Sequence, residues 1–259
     1  MTSPDGVGDA LRERLTLPEF PRSAGYDPSW MLANAMGPNP VWLAEALTAR
    51  MRLEPGMRVL DLGCGKAITS IFLAREFDVH VVAADLWIKP SANWPRILDA
   101  GEQHRILPLH AEAHDLPFAD GYFDAIVSVD AYHYFGTDDS YLGYLRRFLR
   151  PGGQLGIAVP MLTAELTQVP EHLTPFWEWD FWTFHTPSWW RHHWSRTGLI
   201  DVETAELIPD GWRHWLLWDE ASLQTGTSPL PERADQSVEM NRIDAGRTFA
   251  LGVVTASRR

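Results

Sequence analysis

The chain has 259 residues, of which 45% are apolar, so it can bury a full core in one large domain or two small ones. Its formal charge of −12 disfavours nucleic-acid binding, which requires a basic face. The single cysteine, Cys64, excludes an internal disulfide and a structural thiolate zinc site, and a reducing cytoplasm is the expected location.

The first 29 residues are rich in Pro, Gly and charge and predict a mobile start and an irregular arm, with order beginning near Trp30. They lack the apolar core of a signal peptide, and no later run approaches the ~18 apolar residues that span a bilayer. A helix is predicted from Pro40, since proline favours the first helical position, and Pro55 and Gly56 would end it.

From residue 57 onward, strand-like and helical patterns alternate, which is the signature of a doubly wound parallel sheet. The predicted strands are 57–61, 78–84, 105–109, 123–129 and 153–159. Because parallel strands end at one shared edge of a sheet, we expect Asp61, Asp85, Leu109 and Asp130 at or near that edge.

The last third is unusual for its aromatic content, because nine of the thirteen tryptophans lie between Gln168 and Trp218. Thr186 and Pro187 predict the start of a helix that ends at Gly198. Strands are predicted at 201–208 and 247–256, and the long excursion between them permits an antiparallel pair at the sheet edge.

The segment Arg58–Ser70, RVLDLGCGKAITS, predicts a strand, a tight glycine turn and a helix. Such a turn favours a nucleotide ligand in the crevice at the strand ends. A dinucleotide fingerprint would need a third glycine where Ile68 stands, which argues against NAD or FAD.

The motif Asp61-Leu62-Gly63-Cys64-Gly65-Lys66-Ala67 resembles the glycine turn of class I S-adenosylmethionine-dependent methyltransferases, except that Ala67 replaces a third glycine. The resemblance continues over residues 55–160, through Asp85 after the second strand, HAEAHDLPF at 110–118, DGYFDAIVS at 120–128 and LRPGG at 149–153. It implies that Asp85 holds the ribose hydroxyls, and that Glu112 and the N–H of Ala113 contact the adenine. The cofactor-binding residues implied by the resemblance are Asp61, Gly63, Cys64, Gly65, Asp85, Leu86, Glu112, Ala113 and Ser128.

Each of these residues also has a simpler interpretation. Asp61 alone could cap a helix, and Asp85 alone could be a surface turn residue. His110 and His114 have a spacing that suits a metal site on a helix, but the segment is predicted as strand and loop, and no metal is expected. Cys64 has no apparent activating partner and is interpreted as a buried packing residue.

Methyl transfer requires an acceptor placed in line and, where needed, a group that removes a proton. Asp130 and His133 follow the fourth strand and are the predicted catalytic residues, the alternative being that both only shape the cofactor pocket. The predicted substrate-binding residues are Tyr132, Trp177, His185 and Trp190, because clustered aromatic rings suit a flat apolar or cationic acceptor. The helical face that carries Trp190 could equally be core, and the arm at 26–39 is expected to cover the cofactor.

The predicted fold is α/β: a doubly wound, Rossmann-like, seven-stranded mixed sheet with an antiparallel last strand, a helical N-terminal arm and a Trp-rich cap. The expected segments of this single domain are the arm and first helix at 1–50, the S-adenosylmethionine-binding core at 51–160, the cap at 161–200 and the last two strands at 201–259. The predicted function is methylation of a small molecule, aromatic or heterocyclic, at oxygen or nitrogen rather than carbon. The alternatives are a non-catalytic S-adenosylmethionine-binding protein and a nicotinamide-dependent oxidoreductase, and neither a nucleic-acid nor a membrane partner is expected.

Overall fold

The computed structural model describes residues 4–259, with the side chains from residue 8 onward. Seven strands form one sheet in the order β3-β2-β1-β4-β5-β7-β6. The strands are β1 (Arg58–Leu62), β2 (His80–Asp85), β3 (Ile106–His110), β4 (Phe123–Val129), β5 (Leu149–Leu162), β6 (Ile200–Leu207) and β7 (Phe249–Arg258). The first five pair in parallel, and β7 runs antiparallel to both β5 and β6. The predicted seven-stranded mixed sheet is confirmed.

Nine helices are described in residues 4–259. They are α1 (Pro4–Leu15), α2 (Pro28–Asn34), α3 (Pro40–Thr48), α4 (Ile68–Phe77), α5 (Pro90–Asp99), α6 (Tyr141–Leu145), α7 (Pro187–Ser195), α8 (Gly211–Thr225) and α9 (Ala234–Asp244). None of these described helices is long and apolar enough to cross a membrane.

Three of the helices begin in the same way, with a polar cap followed by proline. Asp27, Asn39 and Thr186 each accept backbone N–H bonds from the first turn of α2, α3 and α7, respectively. The following proline needs no hydrogen-bond acceptor at that position and already has a helical φ. Local sequence therefore determines where these helices start.

The N-terminal segment is more ordered than its composition predicts. Residues 1–3 lie outside the described part, so the predicted mobile start is not assessed there. Beyond them, α1 and α2 replace the predicted irregular arm, and Leu11, Leu15, Phe20 and Tyr26 are buried. The prediction that order begins near Trp30 is wrong, because Leu11 and Leu15 share a helical face that supplies apolar surface to the core.

The segment between β6 and β7, residues 208–248, contains the two helices α8 and α9, which pack against each other. This excursion leaves β6 and β7 as the predicted antiparallel pair. It also places α8 beside the segment that follows α2, where the Nε1 of Trp218 donates to the carbonyl oxygen of Gly37.

Candidate active site

A cavity of about 330 Å³ lies at the carboxyl ends of β1, β2 and β4, and we call it the strand-end cavity. In open α/β sheets this edge is where ligands bind. Its lining combines the glycine turn, the ends of the strands and the segment after α2. The lining includes Gly63, Cys64, Gly65, Lys66, Asp85, Glu112, His114 and Asp130.

The glycine turn presents bare backbone to this cavity. Gly63 has φ of 75°, and a Cβ there would lie 2.4 Å from the Cβ of Ala131. Gly65 has φ of 52°, and its Cβ would lie 2.9 Å from the sulfur of Met36. Both positions therefore require glycine for conformation and for space.

Ala67 occupies the position where the resemblance leads one to expect a third glycine. It has φ of 63° and is fully buried directly before α4. The left-handed conformation costs a non-glycine residue roughly 1–2 kcal/mol. The turn keeps its shape with alanine because the methyl group is accommodated.

Asp85 links the glycine turn to the loop that follows β2 by hydrogen bonds. Its Oδ2 accepts from the N–H of Gly65, and its Oδ1 accepts from the N–H groups of Trp87 and Ile88, each at 2.8 Å. A carboxylate has about four acceptor positions, so one remains for a ligand. Asp85 and its neighbour Leu86 both line the cavity.

Glu112 and Ala113 line the same cavity after β3. The Oε1 of Glu112 is 2.8 Å from the Nδ1 of His114, and Oε2 accepts from the backbone N–H of His114. Burial raises the pKa of Glu112, but these bonds outweigh it and leave the pKa below its usual range. Glu112 is therefore an ionised acceptor at neutral pH.

His110 and His114, the pair considered for metal binding, point to different partners. The Nε2 of His110 lies 2.8 Å from the carbonyl oxygen of Leu86, whereas His114 pairs with Glu112. Within the described residues, no group of three or more His, Cys, Asp or Glu side chains is arranged to hold a metal ion.

Two of the predicted cofactor residues lie beneath the cavity and do not line it. Asp61 is fully buried, its Oδ2 accepts from the Oγ of Ser70 at 2.5 Å, and burial raises its pKa to about 7. Ser128 donates to the carbonyl oxygen of Leu62 at 2.7 Å and thereby ties β4 to β1. The Ser128 hydroxyl does not reach the cavity, because the residue is fully buried in the sheet.

Cys64 lies in the turn and lines the cavity, but little of its side chain is exposed. Burial, followed by the nearby Asp61 and Asp85, raises the pKa of its thiol. A thiol in this environment stays protonated and is a poor nucleophile.

The segment between α2 and α3 forms the outer wall of the strand-end cavity. Residues 34–38, within the arm expected to cover this region, line it opposite the glycine turn. Gly37 lies so close to Asp130 that a Cβ there would be 2.0 Å from the Oδ2 of Asp130. Gly37 is therefore required for the carboxylate to occupy its position.

Asp130 follows β4 and has φ of 54°, a left-handed conformation that aspartate tolerates better than most residues. Among the described residues its carboxylate has no hydrogen-bond donor, while its backbone N–H donates to the carbonyl oxygen of Ala158. Burial, followed by the charge of Asp219, raises its pKa to about 7.

A second cavity of about 230 Å³ meets the first one at Asp130, and we call it the lateral cavity. The residues that line both cavities are Met36, Gly37, Pro38, Asp130 and Tyr134. Aromatic side chains form much of the remaining wall of the lateral cavity, from two short helical turns after β5 and from α8. These are Phe176, Phe181, Phe184, Trp215 and Trp218.

His133 lines the lateral cavity and not the strand-end cavity. It is 1% exposed, its Nδ1 has no hydrogen-bond partner among the described residues, and its ring contacts those of Tyr134 and Phe184. Burial lowers its pKa to about 3, so the histidine is neutral at pH 7. Before environmental shifts a histidine titrates near neutrality, and here no acid offsets the desolvation.

The four predicted substrate-binding residues do not line either cavity. Tyr132 and Trp190 are fully buried and pack against each other and Trp194 on the face of the sheet that α7 covers. Trp177 stacks on Phe249, and His185 stacks on Trp189 while its Nδ1 lies 3.0 Å from Glu165. The assignment of these residues to the pocket is therefore corrected: the face of α7 that carries Trp190 is core.

The lateral cavity contains residues that the sequence did not single out. Trp215, Trp218 and Asp219 come from α8, and Ser237 and Met240 come from α9. The sequence signal was present in the spacing of Trp215, Trp218 and Ser222, which share a helical face that also contributes to the cavity. Which face of α8 meets the cavity depends on how α9 packs, and this is not encoded locally.

Comparison with known proteins agrees with the geometry of the strand-end cavity. Residues 59–153 match a protein-family model described as a methyltransferase domain. The matched range contains the glycine turn together with Asp85 and Glu112 of the strand-end cavity. Methyltransferase GfsG from Streptomyces halstedii is 31% identical over 132 residues, which are 49% of this chain and 46% of that protein. The chain spans less than half the length of this and other curated relatives that it matches.

Solved structures share the fold of this chain over most of its length. The [4+2]-cyclase SpnF aligns with a TM-score of 0.70 and 16% identity, covering 99% of this chain and 97% of that one. A Geobacter sulfurreducens S-adenosylmethionine-dependent methyltransferase in complex with S-adenosyl-L-homocysteine aligns with a TM-score of 0.64 and 21% identity, covering 89% and 97%. These similarities establish the Rossmann-like fold.

Proposed function

We propose that this chain binds S-adenosylmethionine in the strand-end cavity and methylates a small molecule bound in the lateral cavity. The observation that carries the proposal is the shared wall of the two cavities, because a cofactor on one side and an acceptor on the other would meet at Asp130. The aromatic lining favours an aromatic or heterocyclic acceptor, methylated at oxygen or nitrogen.

The residues of the strand-end cavity fit this cofactor. Gly63 and Gly65 bring bare backbone to the wall of this cavity, because a Cβ at either position would collide with Ala131 or Met36. The remaining acceptor position of Asp85 suits a ribose hydroxyl, and Glu112 with the N–H of Ala113 suits an adenine. When bound, the cofactor supplies a methyl group on a positively charged sulfur.

Asp130 is the proposed proton acceptor. Its carboxylate lines both cavities, has no donor among the described residues, and has a pKa of about 7. A base is most effective when its pKa is near the working pH. His133 stays neutral and is proposed to orient the acceptor, since it lines the lateral cavity with an unpartnered Nδ1.

Two measurements test the proposal. Calorimetry should show S-adenosylhomocysteine binding, with no stabilisation of the protein by NADH. A screen of aromatic and heterocyclic metabolites with S-adenosylmethionine carrying a labelled methyl group should then yield a methylated product, identified by mass spectrometry. Binding without turnover over the whole panel would support the non-catalytic alternative, and stabilisation by NADH alone would favour an oxidoreductase.

The acidic charge supports a small-molecule acceptor over a nucleic acid. Retention of the protein on immobilised RNA at low salt would contradict that part of the proposal.

A further inference from the structure

The charges in the lateral cavity are unbalanced. Its charged lining residues are Asp130, Glu178, Asp219 and Arg233. The guanidinium of Arg233 pairs with Glu178, and both side chains are about half exposed, so this pair lies at the rim. His133 adds no positive charge at pH 7. Two carboxylates, Asp130 and Asp219, are therefore left without a basic partner inside the cavity.

Asp219 is held in a fixed orientation with one oxygen available. The hydroxyl of Ser237 and the Nδ2 of Asn241 both donate to its Oδ2, at 2.6 and 3.0 Å. Its Oδ1 accepts no hydrogen bond within the described residues. Burial raises the pKa of Asp219 to about 6, which leaves the carboxylate mostly ionised at pH 7.5. An enclosed carboxylate of this kind is stabilised by a cation.

The aromatic rings of the same cavity add to the preference for positive charge. Trp215 and Trp218 on α8 and Phe181 and Phe184 after β5 line it together with Asp219. Aromatic faces attract cations, most strongly where the cation is shielded from water. The same rings offer apolar surface to the uncharged part of a ligand.

We propose that the lateral cavity selects acceptors that join an apolar body to a protonated amine, with the amine held by the Oδ1 of Asp219 and the aromatic wall. This inference rests on the proposed function, because it names the substrate class of the same site. An anionic acceptor would meet two carboxylates, and a neutral one would leave both without a counter-charge.

Matched ligand pairs test this selectivity. Tryptamine and tryptophol share an indole and a two-carbon chain and differ in carrying an amine or a hydroxyl, and 2-phenylethylamine and 2-phenylethanol form a smaller pair. Their dissociation constants are measured by calorimetry at pH 7.5, with and without S-adenosylhomocysteine. We expect at least one amine to bind tenfold or more tightly than its alcohol.

The variant Asp219→Asn should reduce this preference to about one by weakening the amine and leaving the alcohol unchanged. Asp235→Asn is the matched control, because Asp235 lies in α9 beside the lining residues but is exposed and does not line the cavity. The ratio of the two dissociation constants is taken within each variant, so a misfolded fraction changes the stoichiometry and not the ratio.

The inference is overturned if no amine in the wild-type protein binds tenfold more tightly than its alcohol, including the case in which neither pair binds. It is also overturned if the preference survives in Asp219→Asn. Loss of S-adenosylhomocysteine binding in the wild-type protein is a separate outcome that contradicts the proposed function, whereas the titrations without that ligand still decide the selectivity.

Discussion

The two cavities of this chain differ in what forms their walls. The strand-end cavity is shaped by backbone, with Gly63, Gly65 and Gly37 at points where one added carbon would collide. The lateral cavity is shaped by side chains on α8, α9 and the turns after β5. A wall of backbone tolerates few changes, whereas a wall of side chains can be altered one residue at a time. Under the proposed function, most substitutions in the lateral cavity should therefore change acceptor choice while leaving cofactor binding intact.

The largest expected effect is at Gly63. Gly63→Ala places a methyl group 2.4 Å from the Cβ of Ala131 at a φ of 75°, so we expect the affinity for S-adenosylhomocysteine to fall at least 100-fold. Gly8→Ala is the control, because a Cβ at Gly8 meets nothing within 4 Å. Calorimetry measures both, and an affinity unchanged in Gly63→Ala would show that this turn does not face the ligand.

The next effect concerns the wall that both cavities share. Asp130→Asn should lower kcat by a factor of about 10²–10⁴, the range typical of a lost general base. With a raised pKa of about 7 in the ligand-free protein, Asp130 is protonated below that pH, so wild-type kcat/KM should rise as the pH increases through 7. Asp219 faces the same cavity and contributes to this raised pKa, so the Asp219→Asn profile should shift to lower pH.

The variant Asp130→Asn should lack the rise in kcat/KM with pH. His133→Gln should retain it, because the pKa of His133 is about 3. If the rise persists in Asp130→Asn and disappears in His133→Gln, the roles of the two residues are reversed.

Two residues of the same aromatic stretch, Trp190 on α7 and Phe181 before it, should respond differently to substitution. Trp190 is fully buried in the core, so Trp190→Ala should lower the free energy of unfolding by about 3–5 kcal/mol. Phe181 is only half-buried and lines the lateral cavity, so Phe181→Leu should raise the acceptor KM several-fold with a smaller loss of stability. Chemical denaturation measures the loss of stability, and steady-state kinetics measures the acceptor KM. If only Trp190→Ala changed the KM, Trp190 on α7 would belong to the binding pocket and not to the core.

The smallest effect is confined to stability and its pH dependence. Burial raises the pKa of Asp61 from 3.8 to about 7 in the folded protein. Ionisation of the Asp61 carboxyl therefore destabilises the folded state. Its contribution to stability is complete below pH 3.8 and is lost as the pH rises through 7, on the order of 4 kcal/mol at 1.36 kcal/mol per pH unit.

Asp61→Asn should therefore flatten the fall in the free energy of unfolding between pH 5 and pH 8, measured by urea denaturation. Asp120→Asn provides the control, because Asp120 is exposed beside Arg147. Equal slopes in wild type and Asp61→Asn would mean that Asp61 has the same pKa in the folded and the unfolded protein.

The sequence predicts most accurately the features that depend on neighbouring residues. Strand β4 has the predicted bounds, and the Thr186-Pro187 cap starts α7 where it was expected. Asp85 and Glu112 line one cavity because alternating strands and helices, joined by right-handed crossovers, bring the ends of the parallel strands to the same edge of the sheet.

The sequence fails where the direction of a side chain depends on distant packing. Trp190 and Phe181 belong to the same aromatic stretch, yet one lies against the sheet and the other lines a cavity. Aromatic content cannot distinguish these outcomes, because both remove apolar surface from water. The contribution of α8 and α9 to the lateral cavity could not be predicted from the sequence for the same reason. It depends on contacts between distant residues, such as the one between Trp218 and Gly37.

The position of Asp130 in the wall between the cavities has a thermodynamic consequence. A ligand that binds in one cavity and favours the ionised form of Asp130 increases the negative charge that faces a ligand in the other cavity. Such linkage is reciprocal, so each ligand changes the affinity of the other by the same factor. One carboxylate thereby makes the occupancies of the two cavities interdependent, and a change of protonation at Asp130 alters both affinities together.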